Sequence, residues 1–176
     1  MEHSEIVKKF IPIVQELYAQ KGNDISEKDV QDAFIEKFNK EKHRKFYARK
    51  ERENRRDIVI YRKRLGKTKK SIELVYELKT YLKSSEKIDT SKIEYDLYKL
   101  HSIRQEKKVS EACFIMISTR EHLDYLKEHQ KEHFINILNK RKKINIEYLN
   151  HKFNIQYSVS HEDEDKEFCI LTWKAL

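Results

Sequence analysis

Asp57 opens the apolar run Asp57-Ile58-Val59-Ile60-Tyr61, and a second apolar run, Ile72 to Tyr76, ends in Glu77-Leu78-Lys79. Two carboxylates and a lysine at the ends of two adjacent strands are the inventory for metal-assisted attack on a phosphodiester. Carboxylates held close together repel unless a cation lies between them, and hard divalent ions such as Mg²⁺ accept carboxylate, carbonyl and water oxygens. Such an ion lowers the pKa of a bound water and offsets charge on a phosphate under in-line attack. An ammonium beside it orients that water or neutralises the developing charge.

The spacing can be tested against strand geometry, because residues paired in an antiparallel hairpin have numbers that sum to a constant. Leu65-Gly66-Lys67-Thr68 is the expected turn, with a glycine able to take up positive φ. A hairpin centred near Lys67 gives pairs summing to 134 and sets Asp57 opposite Glu77. Side chains alternate along a strand, so Glu77 and Lys79 share a face. All three groups are expected on one side of a small sheet.

Set out in this way, Asp57, Glu77 and Lys79 resemble the acid, acid, lysine motif of the PD-(D/E)XK nuclease superfamily, whose fold is restriction-endonuclease-like. The resemblance implies a metal-dependent nuclease, most simply a DNA endonuclease using Mg²⁺ or Mn²⁺. Asp57 and Glu77 would bind the ion with help from the Leu78 backbone carbonyl, and Lys79 would position or activate water. Arg56 stands where the family usually has proline. The family often adds a glutamate from its first helix, and Glu27 fits that role, with Gln31 one turn later as a lesser candidate. Glu27 has a plainer explanation too, since a carboxylate in a first helical turn favours the positive end of the helix dipole.

The elements that must position these groups follow from periodicity and capping signals. Ser26-Glu27-Lys28-Asp29 reads as a helix start of capping-box type, and Val30, Phe34 and Phe38 recur at helical spacing behind it. Ser91-Lys92-Ile93-Glu94 reads as a second capping box, followed by the stripe Ile93, Leu97, Leu100. Ala112 to Ile117 is short, continuous and bounded by serines, as a buried strand should be. A strand, helix, parallel strand order is then expected after the hairpin. Thr119 is placed to cap a long helix running to about Lys142, with Leu123, Leu126, Phe134, Ile137 and Leu138 inward. Two closing strands, near 153–158 and 167–173, flank an acidic turn at His161 to Asp165. The expected fold class is α/β, a restriction-endonuclease-like core with a mixed central sheet flanked by helices, in one domain spanning residues 1–176.

Charge is concentrated rather than spread. From Lys40 to Lys70 there are 15 Lys and Arg against 4 acidic residues, whereas the net charge of the 176-residue chain is only +8. Lys and Arg neutralise phosphates and release counterions, so a basic segment leading into the acid pair fits a nucleic-acid substrate. Arg44, Lys45, Arg49, Lys50, Arg52 and Arg55 are candidate phosphate contacts, with Lys67, Lys69 and Lys70 at the hairpin tip. A solvated charged face is the ordinary alternative. Phe46 and Tyr47 within the run suit either stacking on bases or a short strand packed on the core.

Other signals restrict the reading. No apolar run is long enough to span a membrane and no signal-peptide pattern opens the chain, so a cytoplasmic protein with no membrane partner is expected. Cys113 and Cys169 fall inside apolar strands and suit small core residues better than a disulfide or zinc site. His129-Gln130-Lys131-Glu132-His133 matches the inverted zinc-protease pattern, but such a site needs a third protein ligand and an apolar-backed cleft, the surrounding helix is polar on several sides, and the match is cheap in a segment rich in Glu, His and Lys. DNA is favoured over RNA by the resemblance alone. Cutting both strands of a duplex with one site per chain implies a homodimer, through the long helix or the closing strands. The competing class is a non-catalytic nucleic-acid-binding or assembly protein on the same fold.

Overall fold

The structure, a computed structural model, describes residues 3–41, 45–51, 56–63, 71–83, 87–107, 109–129, 143–148, 151–162 and 168–175. Over these residues the chain is α/β. Helices α1 (His3–Lys21) and α2 (Glu27–Lys40) lead into strands β1 (Phe46–Glu51), β2 (Arg56–Arg62) and β3 (Ser71–Tyr81). Helix α3 (Thr90–Lys107) then connects to β4 (Glu111–Thr119), and α4 (Arg120–His129) precedes β5 (Lys143–Tyr148), β6 (His151–Glu162) and β7 (Phe168–Ala175). The strands form one seven-stranded sheet in the order β1-β2-β3-β4-β7-β6-β5. The sheet is mixed: β3 and β4 are parallel, joined through α3, and the remaining neighbours are antiparallel.

Alternation along the strands gives the sheet two apolar faces and hence two cores. Ile58, Ile60, Leu74, Tyr76 and Leu78 pack under α1 and α2. Phe10 and Phe34 stack there with centroids 4.2 Å apart, and Phe34 stacks in turn on Phe38. Val59, Val75, Phe114 and Trp173 point the other way, under Ile93, Leu97 and Leu100 of α3. A fully buried aromatic or aliphatic side chain stabilises by about 1.5–3 kcal/mol. The buried stripe of each helix therefore fixes it to one face of the sheet.

Helix starts are set by side-chain acceptors. Ser26 caps α2 as expected, its hydroxyl accepting from the Asp29 N–H while the Asp29 carboxylate accepts from the Ser26 N–H. The Lys21 ammonium bonded to it, and then those Ser26 bonds, hold the Asp29 carboxyl far below its usual range. At α3 the cap differs from the expected Ser91. Asp89 takes the position, accepting from the Ser91 N–H, the Ser91 hydroxyl and the Lys92 N–H. An ionised carboxylate accepts several donors at once, so it displaces the serine hydroxyl as the cap. Thr119 Oγ1 accepts from the His122 N–H and caps α4 as expected. The anticipated continuation of α4 to Lys142 lies outside the described residues. Beyond it β5 enters the sheet, an element the sequence reading lacks, as it also lacks α1.

The outer edge of β1 is guarded by one side chain. Asn39 of α2 donates to the Ala48 carbonyl and accepts from the Ala48 N–H, both at 2.9 Å, imitating a neighbouring strand. Edge strands with open N–H and C=O groups invite pairing with other chains. We expect Asn39→Ala to lower stability by about 1–2 kcal/mol and to promote self-association. Urea melts with light scattering check this; an unchanged midpoint and scattering would show that the amide guards nothing. Among the described residues no helix is long and apolar enough to cross a membrane.

Candidate active site

The hairpin register places the site. Ile58 pairs with Tyr76, Val59 with Val75 and Ile60 with Leu74, each summing to 134, and one step further out Asp57 stands across from Glu77. Nearer the turn the sum drops by one through a bulge after Ile60. The turn itself, with Lys67, Lys69 and Lys70, lies outside the described residues, as do Arg44, Arg52 and Arg55. Among the described residues, β3 beyond Leu78 runs on to Tyr81 beside β4 alone. The described strands thus leave a notch beside the end of β3, with Asp57 at its corner.

Asp57 Oδ2 accepts the Leu78 N–H at 2.7 Å, a side-chain bond at the edge of the described ladder. In an antiparallel strand a residue's N–H and C=O face the same neighbour, so the Leu78 carbonyl is directed into this notch as well. Glu77 is 2% exposed, and its buried Oε1 has no hydrogen-bond partner among the described residues. Burial, and then the Asp57 charge, push its carboxyl up to about 8, although Lys99 works against the rise. A buried, protonated or poorly compensated carboxylate is costly, and positions of this kind often serve function.

Lys79 reaches across the notch to two helices. Its Nζ lies 3.4 Å from Glu27 Oε2 at the start of α2 and 3.5 Å from Asp96 Oδ2 on α3. Burial lowers the ammonium's pKa, but Glu27, Asp96 and Asp57 outweigh it, so Lys79 is held charged above its ordinary value. Glu27 is raised by burial, opposed by Lys79 and reinforced by Asp57. Gln31 donates to Glu27 Oε1 at 3.4 Å and thus supports that carboxylate from one turn below. Asp57, Glu77, Lys79 and Glu27 therefore meet at one end of the sheet.

Two members of the cluster, Asp96 and Lys99, have no place in the sequence reading. Lys99 Nζ lies 2.8 Å from Glu77 Oε2 and 3.4 Å from Asp96 Oδ1. A signal for them exists: Asp96 is three residues after Ile93 and four before Leu100, so it sits on the buried stripe of α3 and is 6% exposed. A charge on such a stripe must find a partner. Four carboxylates and two lysines thus share the notch. Among the described residues no three His, Cys, Asp or Glu side chains converge into a ready metal cage. Two carboxylates and a carbonyl, with waters completing the shell, still suit Mg²⁺, which is reluctant to dehydrate and seldom takes an all-protein cage. The unpartnered Oε1 of Glu77 and the repulsion between Glu77 and Asp57 fit such an ion.

The basic candidates separate by face. Arg49 lies on the α3 side, its guanidinium 4.6 Å from the Tyr61 ring centroid and half exposed. Lys50 points to the other side and pairs with Asp32 of α2 at 2.9 Å. Lys45 is exposed at the start of β1. Packing accounts for the two aromatics beside them: Tyr47 stacks on Tyr61 at 5.2 Å, and Phe46 lies under the Arg62 guanidinium. Cys113 and Cys169 are buried thiols. His133 of the histidine pair lies outside the described residues. No family model matches this chain, and no curated protein or solved structure matches it significantly.

Proposed function

We propose that this chain is a metal-dependent nuclease of the PD-(D/E)XK type, with a restriction-endonuclease-like core, hydrolysing phosphodiester bonds and acting on DNA in preference to RNA. The observation that carries the reading is the meeting of Asp57, Glu77 and Lys79 at the notch, with a buried Glu77 oxygen left unpartnered. The order of elements supports it, since α2, the β1-β2-β3 meander, the α3 crossover and β4 follow one another as that core requires.

Asp57, Glu77 and the Leu78 carbonyl would hold Mg²⁺ or Mn²⁺. The ion, when bound, would supply charge for the phosphate and acidify a water. Lys79 is charged at rest, so it donates hydrogen bonds to the attacking water or a phosphate oxygen rather than accepting a proton. Glu27, a carboxylate of raised basicity beside it, is suited to take the proton from that water. Attack forms a new P–O bond, breaks the opposite ester bond, and leaves a phosphate monoester and a hydroxyl.

The test is incubation with plasmid, single-stranded DNA and RNA in Mg²⁺ or Mn²⁺ and in chelator. Cleavage that requires the metal supports the proposal. A second reading, a non-catalytic nucleic-acid-binding or assembly protein, is favoured by the lysines that already neutralise the carboxylates and by the lack of a converged cage among the described residues. Binding without cleavage of any substrate, and without metal binding, would decide for it.

Arg49 shares the site's face whereas Lys50 does not, which separates two neighbouring cations. Arg49→Ala should weaken DNA binding uniformly across sequences and reduce the slope of log affinity against log salt by about one. Lys50→Ala should leave that slope alone. Anisotropy titrations over several salt concentrations measure both; equal effects would remove the distinction.

A further inference from the structure

Asp96 and Lys99 form a pair on α3 whose geometry goes beyond holding the helix in place. Asp96 offers one oxygen to each lysine, Oδ2 to Lys79 at 3.5 Å and Oδ1 to Lys99 at 3.4 Å. Lys99 has a second and closer partner, Glu77 Oε2 at 2.8 Å. The other oxygen of Glu77, Oε1, is buried with no hydrogen-bond partner among the described residues. The ammonium therefore occupies one side of the very carboxylate that the proposed metal would need. A divalent ion and an ammonium on one carboxylate repel strongly in a partly dry site.

We propose that Lys99 is a tethered counter-ion that competes with the divalent cation for Glu77, and that Asp96 is the carboxylate to which it withdraws when the cation binds. This rests on the metal-binding reading above. The movement is short, because Lys99 and Asp96 are three residues apart on the same helix and already in contact. A lysine has a flexible four-carbon stem and three rotatable donors, so its ammonium can change partner without displacing α3. The arrangement gives the ionised form of Glu77 a counter-charge in the metal-free protein. It also links the two lysines, since a Lys99 wholly on Asp96 weakens the hold of Asp96 on Lys79 and frees that ammonium for substrate. Lys99 and Asp96 are positioning residues in this scheme.

The experiment is calorimetric titration of the full chain with Mn²⁺, for the wild type, Lys99→Met, Asp96→Asn and the double variant, with circular dichroism confirming the fold of each. Removing the competitor should tighten Mn²⁺ binding about tenfold in Lys99→Met, as expected for loss of one charge-assisted hydrogen bond. Asp96→Asn should weaken it, because Lys99 loses its alternative partner. That weakening should largely vanish when Lys99 is already Met, which separates action through Lys99 from a plain loss of negative charge. Unchanged or weaker binding in Lys99→Met, with Mn²⁺ still binding the wild type, overturns the competition and leaves the nuclease reading standing. An Asp96→Asn effect that persists in full in the double variant also overturns it. Absence of Mn²⁺ binding in the wild type and Lys99→Met alike overturns both. If Lys99→Met fails to fold, Lys99→Gln takes its place with the same expected result.

Discussion

Asp57→Ala and Lys79→Ala should each lower metal-dependent cleavage by roughly 10²-fold or more while leaving the fold intact, the range typical of removing a positioned electrostatic or acid–base group. The two losses have different causes. Asp57 contributes one of the two charges facing the proposed ion, and its Oδ2 also accepts the Leu78 N–H. Its removal should therefore weaken metal binding and loosen the Leu78 peptide together. Lys79 touches Glu27 and Asp96 rather than Asp57 or Glu77, so Lys79→Ala should keep most of the metal affinity and lose rate. Lys79→Arg keeps the charge but not the compact ammonium, and should restore little. Single-turnover cleavage alongside Mn²⁺ calorimetry measures both quantities. Cleavage persisting in either alanine variant would remove that residue from the site, and equal loss of metal affinity in both would contradict the division of labour.

The second large effect is on stability and comes from Glu77. Its carboxyl is raised from 4.5 to about 8, chiefly by burial and then by Asp57. A group whose pKa is raised on folding binds its proton more tightly in the folded state. The stability it contributes is complete below about pH 4.5 and is lost as pH rises through 8. Every tenfold gain in proton affinity on folding is worth about 1.4 kcal/mol, so a few kcal/mol are at stake across this window. Glu77→Gln removes the titration, and it should flatten the dependence between about pH 5 and pH 8.5 and leave the variant relatively more stable at the alkaline end. Mn²⁺ competes with the proton and should stabilise the wild type more at about pH 8.5 than at about pH 5. The variant should gain little from it. Urea melts at several pH values across this window, with and without Mn²⁺, test this. The same slope in wild type and variant would show that Glu77 does not carry the pH dependence.

Much of what positions these groups is legible in the chain because it is local. The register of β2 against β3 follows from the length of the hairpin, and it survives as far as the bulge at Ile60. The Ser26 cap of α2 and the Thr119 cap of α4 follow from which side chains can reach an orphan N–H. The cap of α3 shifts two residues because Asp89 offers more acceptor capacity than Ser91, a competition that spacing alone does not weigh.

What is not legible depends on partners distant in the chain. Helix α1 contains Pro12, and its packing of Phe10 on Phe34 and near Tyr76 shows why it belongs to the fold. Strand β5 carries the alternation Ile144, Ile146, Tyr148, but it is short and follows directly on the charged residues that close the expected long helix, which hide it. Asp96 interrupts the apolar stripe of α3 and so calls for a partner, but that partner, and the role of Lys99, emerge only when β3 brings Glu77 and Lys79 beneath them.

The claim on which the rest depends is that Asp57, Glu77 and the Leu78 carbonyl hold a divalent ion. A crystal structure of the protein soaked in Mn²⁺, with anomalous data, measures this directly. The expected result is one anomalous peak within about 2.0–2.5 Å of carboxylate oxygens of both Asp57 and Glu77 and of the Leu78 carbonyl oxygen, with Lys99 moved onto Asp96. A notch without a peak at saturating Mn²⁺, or a peak held by other residues, would contradict it.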